Sequence, residues 1–220
     1  IQNIGAYGVE VSSFVHAVHS VELETGRRHS LAADECEFAY RNSVFKESLQ
    51  DRLCVTSIDL KLSRRAQPHT HYPALANWLE GRGIEQASPE QVFDAVVAIR
   101  SSKLPDPARE PNAGSFFHNP IVEAEQAQQL QTSFPGLPNY PQPDGRVKLA
   151  AAWLIEQCGW KAQRRRGVGV HDRHALVLVN YGSNSGRELL QLANDIARDV
   201  AATFGVDLVI EPRIYGDAYE

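Results

Sequence analysis

The sequence predicts an α+β protein built in two parts. Three observations carry that expectation. Residues 1–62 read mainly as β structure, the residues beyond position 111 alternate helical and strand patterns, and the proline-rich joint Leu104-Pro105-Asp106-Pro107 through Pro111 lies between them. At 220 residues the chain is long enough to bury a core in one or two domains.

In the first part, Val21-Glu22-Leu23-Glu24 and His29-Ser30-Leu31 flank Thr25-Gly26, a hairpin signal. From Cys54 through Thr56, Ile58, Leu60 and Leu62, one face faces inward while Asp59 and Lys61 face out, which predicts a half-buried strand. Ser88-Pro89-Glu90-Gln91 starts a helix, with an N-cap Ser, Pro at the first position and Gln at the third. Val92, Phe93, Val96 and Ile99 give it an apolar face, and Arg100 and Lys103 project from one side near its end. In the second part, helices are expected over 123–132, over 147–158 ending at Gly159, and over 185–204 ending at Gly205. Strands are expected over Ala175–Asn180 and Val206–Glu211. Phe134 through Pro143 reads as an extended loop that holds Tyr140 out.

Composition narrows the function classes. With 43% hydrophobic and 22% charged residues the chain falls among soluble globular proteins, and a formal charge of -5 predicts no nucleic-acid partner. The only basic run, Arg164-Arg165-Arg166, reads as a solvated loop. Cys36, Cys54 and Cys158 form neither a disulfide framework nor a zinc motif, which points to a reducing cytoplasm. No apolar run is long enough for a membrane span. His171-x-x-His174 and His69-x-His71 lack Cys or carboxylate partners at ligand spacing, so no metal is expected. The chain has no methionine and begins Ile1-Gln2-Asn3, which reads as a piece of a longer protein.

Asn112-Ala113-Gly114-Ser115-Phe116-Phe117-His118-Asn119-Pro120 is the most informative stretch. A small Ala-Gly pair precedes a serine and two aromatics, and Asn-Pro then turns the chain. No G-x-S-x-G elbow surrounds the serine, so hydrolase chemistry is not the first reading. Four more strings accompany it: Gln2-Asn3-Ile4-Gly5-Ala6-Tyr7-Gly8, Tyr40-Arg41-Asn42-Ser43-Val44-Phe45-Lys46, Arg100-Ser101-Ser102-Lys103-Leu104-Pro105, and Glu211-Pro212-Arg213-Ile214-Tyr215-Gly216.

In this order the strings resemble the signatures of the UDP-N-acetylenolpyruvoylglucosamine reductases, over roughly the C-terminal two-thirds of a long-form member. The resemblance implies the back half of a two-part flavin-binding domain at 1–104, an α/β substrate-binding domain at 105–205, and a returning strand at 206–220 that carries a catalytic Glu. It implies FAD and NADPH as cofactors and UDP-N-acetylglucosamine enolpyruvate as substrate, reduced to UDP-N-acetylmuramate for peptidoglycan. Such an enzyme is a monomer in the bacterial cytoplasm and serves cell-wall growth, cell shape and division. Arg41, Ser115 and Glu211 become the catalytic residues. Ser115 protonates carbon, while Arg41 and a protonated Glu211 stabilise charge at the substrate carboxylate. Asn3, Gly5, Ala6, Gly8, Arg100 and Arg213 become flavin contacts, and Tyr72, Lys103, Asn119, Tyr140, Lys148 and His174 substrate contacts.

Some positions depart from the family pattern. Pro73 stands for Gly, Pro111 for Gly, His118 for Lys, His174 for Gln and Pro212 for Val. Pro212 removes a backbone donor and predicts an edge or irregular strand. Lys148, expected at a helix start, would oppose the helix dipole unless an anion lies nearby. The family's Gly-rich pyrophosphate loop is not among these strings, so a second expectation is a catalytically incomplete fragment that binds UDP-sugar. Other two-part flavoenzymes lack the serine signature and rank behind.

Overall fold

Val15–Glu22 is the centre of the first unit, and its neighbours follow from turn chemistry on either side. A computed structural model describes residues 1–65, 67–183 and 185–216. Two compact units divide between Ile99 and Arg100. In the first, β1 (Gly5–Ala6) and β2 (Val9–Glu10) form a minimal hairpin. β3 (Val15–Glu22), β4 (Arg28–Ala32) and β5 (Leu53–Leu60) form an antiparallel sheet in the order β4-β3-β5. The predicted Thr25-Gly26 turn is present: Gly26 N donates to Glu22 O, and Thr25 Oγ1 accepts from Arg27 N.

The expected inward face of β5 is overturned. Ile58 and Leu60 are 40% and 49% exposed, Cys54 is exposed, and Leu62 lies beyond the strand. Val55 packs instead against the cluster of Val15, Val18 and Cys36. The pairing sets Ile58 opposite Val18 and Leu60 opposite Val15, and a register shift between His19 and Ser20 sets Val55, not Cys54, opposite the buried Ser20. A one-residue slip moves side chains to the other face, and periodicity does not show where it occurs.

Two helices complete the unit. α1 (Pro73–Glu80) opens on Pro73, whose fixed φ suits a first helical turn; the sequence reading missed it. α2 (Pro89–Lys103) starts where predicted. Ser88 N donates to Gln91 Oε1 at 2.8 Å, and Gln91 N donates to Ser88 Oγ at 3.2 Å, the reciprocal capping box. Its inward side is Val92, Ala95, Val96 and Ile99 against Leu75 and Leu79, whereas Phe93, expected to face in, is exposed. Ile99 is the last of these core residues, so the units part inside α2, ahead of the proline-rich joint.

The second unit holds two sheets. β6 (Asn112–Ser115) lies at one end of the order β10-β11-β12-β6, all antiparallel, with β10 (Arg164–Arg165), β11 (Val168–Val170) and β12 (Val177–Asn180). β7 (Ile121–Val122), β8 (Asn139–Pro141) and β9 (Val147–Leu149) pair in the order β7-β9-β8. α3 (Ala124–Ser133), α4 (Ala151–Gln157) and α5 (Gly186–Phe204) pack their apolar sides into one cluster with β9, β11 and β12. α5 buries Leu192, Ala193, Ile196, Val200 and Phe204, and each large side chain contributes about 1.5–3 kcal/mol.

Two expectations fail here. Residues 147–149 form β9, not the first turn of a helix, because Val147 and Lys148 pair with both β7 and β8, and Leu149 is fully buried. The predicted strand 206–211 reduces to one bridge, Phe117 to Ile210, flanked by hydrogen bonds, consistent with Pro212 ending any ladder. Residues 217–220 of that predicted segment lie outside the described residues. Among the described residues no helix is long and apolar enough to cross a membrane.

Candidate active site

In the second unit, the aromatic pair after Ser115 fixes the serine. Phe116 and Phe117 are buried, with rings meeting edge to face at 5.6 Å, and β6 pairs Ser115 with Val177. Gly114 has φ +76°, a conformation that strains any side chain, so the Ala-Gly pair shapes the approach to the serine. The returning segment docks on the same stretch. Glu211 N donates to Phe116 O, and His118 N donates to Val209 O, both at 2.9 Å. This register places Glu211 beside the serine strand, with Glu211 Oε2 3.7 Å from His118 Nδ1. Glu211 therefore docks on the residue after Ser115, nearly a hundred positions away in sequence, with its carboxylate towards His118.

Other predicted residues gather in this unit. β8 and β9 pair Tyr140 with Lys148, and the Lys148 ammonium stands 5.8 Å from the Tyr140 ring. Tyr140 is half exposed, held out by a strand and not by the expected loop. Because Lys148 lies in a strand, the helix-dipole argument made for it does not apply. Asn119 caps α4 from a distance, since its Oδ1 accepts from Ala151 N at 3.0 Å. Its amide thus has a structural use as well as a predicted ligand. Arg213 lies over the Tyr215 ring at 5.2 Å.

A cavity of about 790 Å³ is lined by Arg100, Glu110, Asn112, Gly114 and Arg173 among others. The Arg173 guanidinium donates to Ser102 O at 3.0 Å, which holds one wall. His171, almost fully buried, accepts from Arg173 N at Nδ1 and sets Nε2 3.7 Å from Glu110 and 3.4 Å from Asp172. His174 accepts from Leu176 N at Nδ1. Burial, then the nearby His171 and Lys103 charges, hold its imidazole below the usual value. The sequence reading did not single out Glu110 or Arg173; no local pattern marks a residue whose role comes from a neighbouring loop.

In the first unit, three motif-derived groups meet. Asn3 N donates to Asn42 O, and Asn3 bridges Tyr40, so the 1–10 segment lies against the Arg41 turn. Lys46 ties both, donating to Gln2 Oε1 at 2.7 Å and to Arg41 O at 2.9 Å. Arg41 has φ +53°, a strained turn conformation, and its guanidinium lies 5.6 Å from the Tyr40 ring. Tyr72 meets Tyr7 edge to face at 5.3 Å, bringing the α1 N-terminus to the same hairpin. The Asn3 side chain is turned inward, donating to Glu10 and accepting from Ser12 N.

Residues 106–215 match the family model described as UDP-N-acetylenolpyruvoylglucosamine reductase, C-terminal domain, which is half of the chain. The chain belongs to this reductase family. It is 49% identical over 214 residues to the UDP-N-acetylenolpyruvoylglucosamine reductase of Burkholderia multivorans, covering 96% of this chain and 61% of that protein. It is 48% identical over 215 residues to the one from Pseudomonas syringae pv. syringae, covering 98% and 63%. The chain therefore spans less than two thirds of the length of these relatives. The crystal structure of the Thermus caldophilus reductase shares the fold at a TM-score of 0.58 and 20% identity, covering 98% of this chain and 58% of that one. The family model falls within the second unit, whereas the relatives align across both.

Proposed function

We propose that this chain carries the substrate-reducing machinery of a flavin-dependent oxidoreductase. Its substrate is UDP-N-acetylglucosamine enolpyruvate, its reductant NADPH and its product UDP-N-acetylmuramate, a peptidoglycan precursor made in the bacterial cytoplasm. The observation that carries this reading is the docking of Glu211 N on the Phe116 carbonyl, which brings the returning segment onto the Ser115-Phe116-Phe117 stretch in a chain of this family.

The first unit offers a surface that fits a flat ring. At the β1–β2 hairpin Ala6 and Gly8 are exposed, Tyr7 and Gly8 have positive φ, and a Cβ on Gly8 would meet Tyr72 Cβ only at 3.9 Å. Backbone groups there can approach an isoalloxazine closely. Bound FAD would supply two-electron transfer from NADPH to the substrate double bond. The protein supplies aim, charge and a proton.

Arg41 would hold the substrate carboxylate with its planar fork, a task for which Lys is a poor substitute. Glu211, protonated, would donate a hydrogen bond to the carboxylate as negative charge develops, and Ser115 Oγ would give its proton to the adjacent carbon. Serine is a weak acid, and the developing carbanion is basic enough to take that proton. Tyr140 and Lys148, with Lys103, Asn119 and His174, would grip the nucleotide diphosphate and sugar. Arg100 and Arg213 would face phosphate or flavin. The two-part division, with flavin bound by the first part and substrate by the second, belongs to this same proposal.

The test is a stopped-flow experiment on the chain with FAD added. Ser115→Ala should leave flavin bleaching by NADPH unchanged and slow reoxidation by substrate by about 10²–10⁴-fold. Loss of both half-reactions sinks the role given to Ser115. UDP-sugar binding without flavin uptake favours the reading of a binding fragment.

A further inference from the structure

The arginine run Arg164-Arg165-Arg166 is a built structure and not a solvated loop. Arg164 stacks on the Tyr181 ring at 3.7 Å, and Arg165 lies 4.5 Å from the Trp160 ring while its guanidinium reaches Asp195 at 3.7 Å. Trp160 is itself fixed, donating from Nε1 to Asp199 at 3.0 Å. The β10–β11 hairpin turns through Arg166 (φ +50°) and Gly167 (φ +80°). A Cβ on Gly167 would meet Ser183 N at 2.9 Å, and Tyr181 N donates to Gly167 O at 2.7 Å, so the tip is locked against the loop before α5. Arg166 is thereby held out with no hydrogen bond, ion pair or ring contact among the described residues.

Arg166 faces a cavity of about 470 Å³ that it lines with Arg165, Arg187, Glu188 and Asp195, over a floor of Val168 and Leu192. Three cations thus oppose two carboxylates. Asp195 is already bound by Arg165 and by Arg198, which comes from outside the lining, and Glu188 accepts from the Ser183 hydroxyl. The α5 N-terminus adds little, because the Ser185 side chain already caps it. The surplus is positive and planar, suited to bidentate recognition of a phosphate. The volume falls in the small-molecule range of about 300–1,000 Å³, and Val168 and Leu192, both nearly fully buried, give an apolar base.

We propose that this cavity binds a small organic phosphate, its phosphoryl group on Arg166 and Arg187 and its apolar body over Val168 and Leu192. The site is separate from the Arg100–Gly114 cavity and does not depend on the proposed reductase activity. An NMR titration of the full chain with phenyl phosphate at low salt tests it, reading the Gly167 and Gly186 amides and the Arg166 and Arg187 side-chain resonances. Expected are saturable shifts confined to these groups, inorganic phosphate binding about tenfold more weakly for lack of an apolar body, and at least a tenfold loss in Arg166→Asn. Asn suits the positive φ at that turn, so this variant keeps the hairpin. Arg187→Gln, on an exposed helix position, should weaken binding in parallel. Shifts that do not saturate, that persist unchanged in both variants, or that appear instead at Asn112–Gly114 overturn the proposal. So does tighter binding of an Asp-rich peptide than of phenyl phosphate.

Discussion

The second unit hangs its site on a deep apolar core, whereas the first builds its site from turns tied together by polar contacts. Ser115 is followed by two buried phenylalanines, and the Glu211 segment adds its bridge to one of them. Arg41 and the β1–β2 hairpin rest on Lys46, Asn3 and Asn42, and the nearest core is the small cluster of Val15, Val18 and Cys36. Packing fixes the backbone that carries Ser115 and Glu211, because a close-packed apolar core has few alternative arrangements. A turn held by polar contacts, carrying the long guanidinium of Arg41, leaves that group freer to adjust.

The sharpest way to break this comparison is to remove packing beneath the second site. Phe117→Ala should cost about 3–5 kcal/mol in urea unfolding followed by Trp153 and Trp160 fluorescence. A loss below about 1 kcal/mol would show that the core does not hold Ser115 in place. In the first unit the matching test is polar. Asn3→Ala leaves Glu10 and Ser12 N without their partner and should cost about 1–3 kcal/mol, with faster amide exchange confined to residues 3–12 and 39–46. If that exchange is unchanged, the turns are held by something other than these contacts. Ser88→Ala should cost about 1 kcal/mol, and Ser88→Asn should restore most of it, since the capping box is the helix's own start signal.

The smallest effect is electrostatic. His174 binds its proton less readily in the folded chain than in the unfolded one, so protonation opposes folding. Its share of stability is complete above the unfolded value near 6.5 and declines as pH falls from there towards the lowered folded value. His174→Gln should flatten the dependence of urea midpoint on pH in that window and leave the midpoint at pH 8 unchanged. A slope that persists in the variant would show that His174 is not its source.

Much of this was legible because it is local. The capping box at Ser88, the hairpin at Thr25-Gly26 and the α5 stop at Gly205 are written in adjacent residues, and each stands where the sequence placed it. Errors came where pairing partners are distant. Residues 147–149 run directly into the helical pattern that follows, yet strands on both sides claim their backbone. The inward side of β5 was misassigned, since a register shift at Thr56, invisible to periodicity, turns Val55 and not Cys54 towards the core. The arginine run read as a solvated loop because nothing in it announces Trp160, Tyr181 or α5 as neighbours.

The sequence by itself determined the class of fold, the family and the identity of the chemical groups: a serine, a glutamate and an arginine within signatures long enough to be specific. Tertiary structure alone decided which of them meet. Glu211 reaches the residue after Ser115 through a backbone hydrogen bond to Phe116, Tyr140 reaches Lys148 across a strand pair, and Asn119 reaches the first turn of α4. The physical reason is range. Turns and caps are settled by hydrogen bonds between residues a few positions apart. A contact between distant positions exists only after the core has fixed the register of the chain segments that carry it.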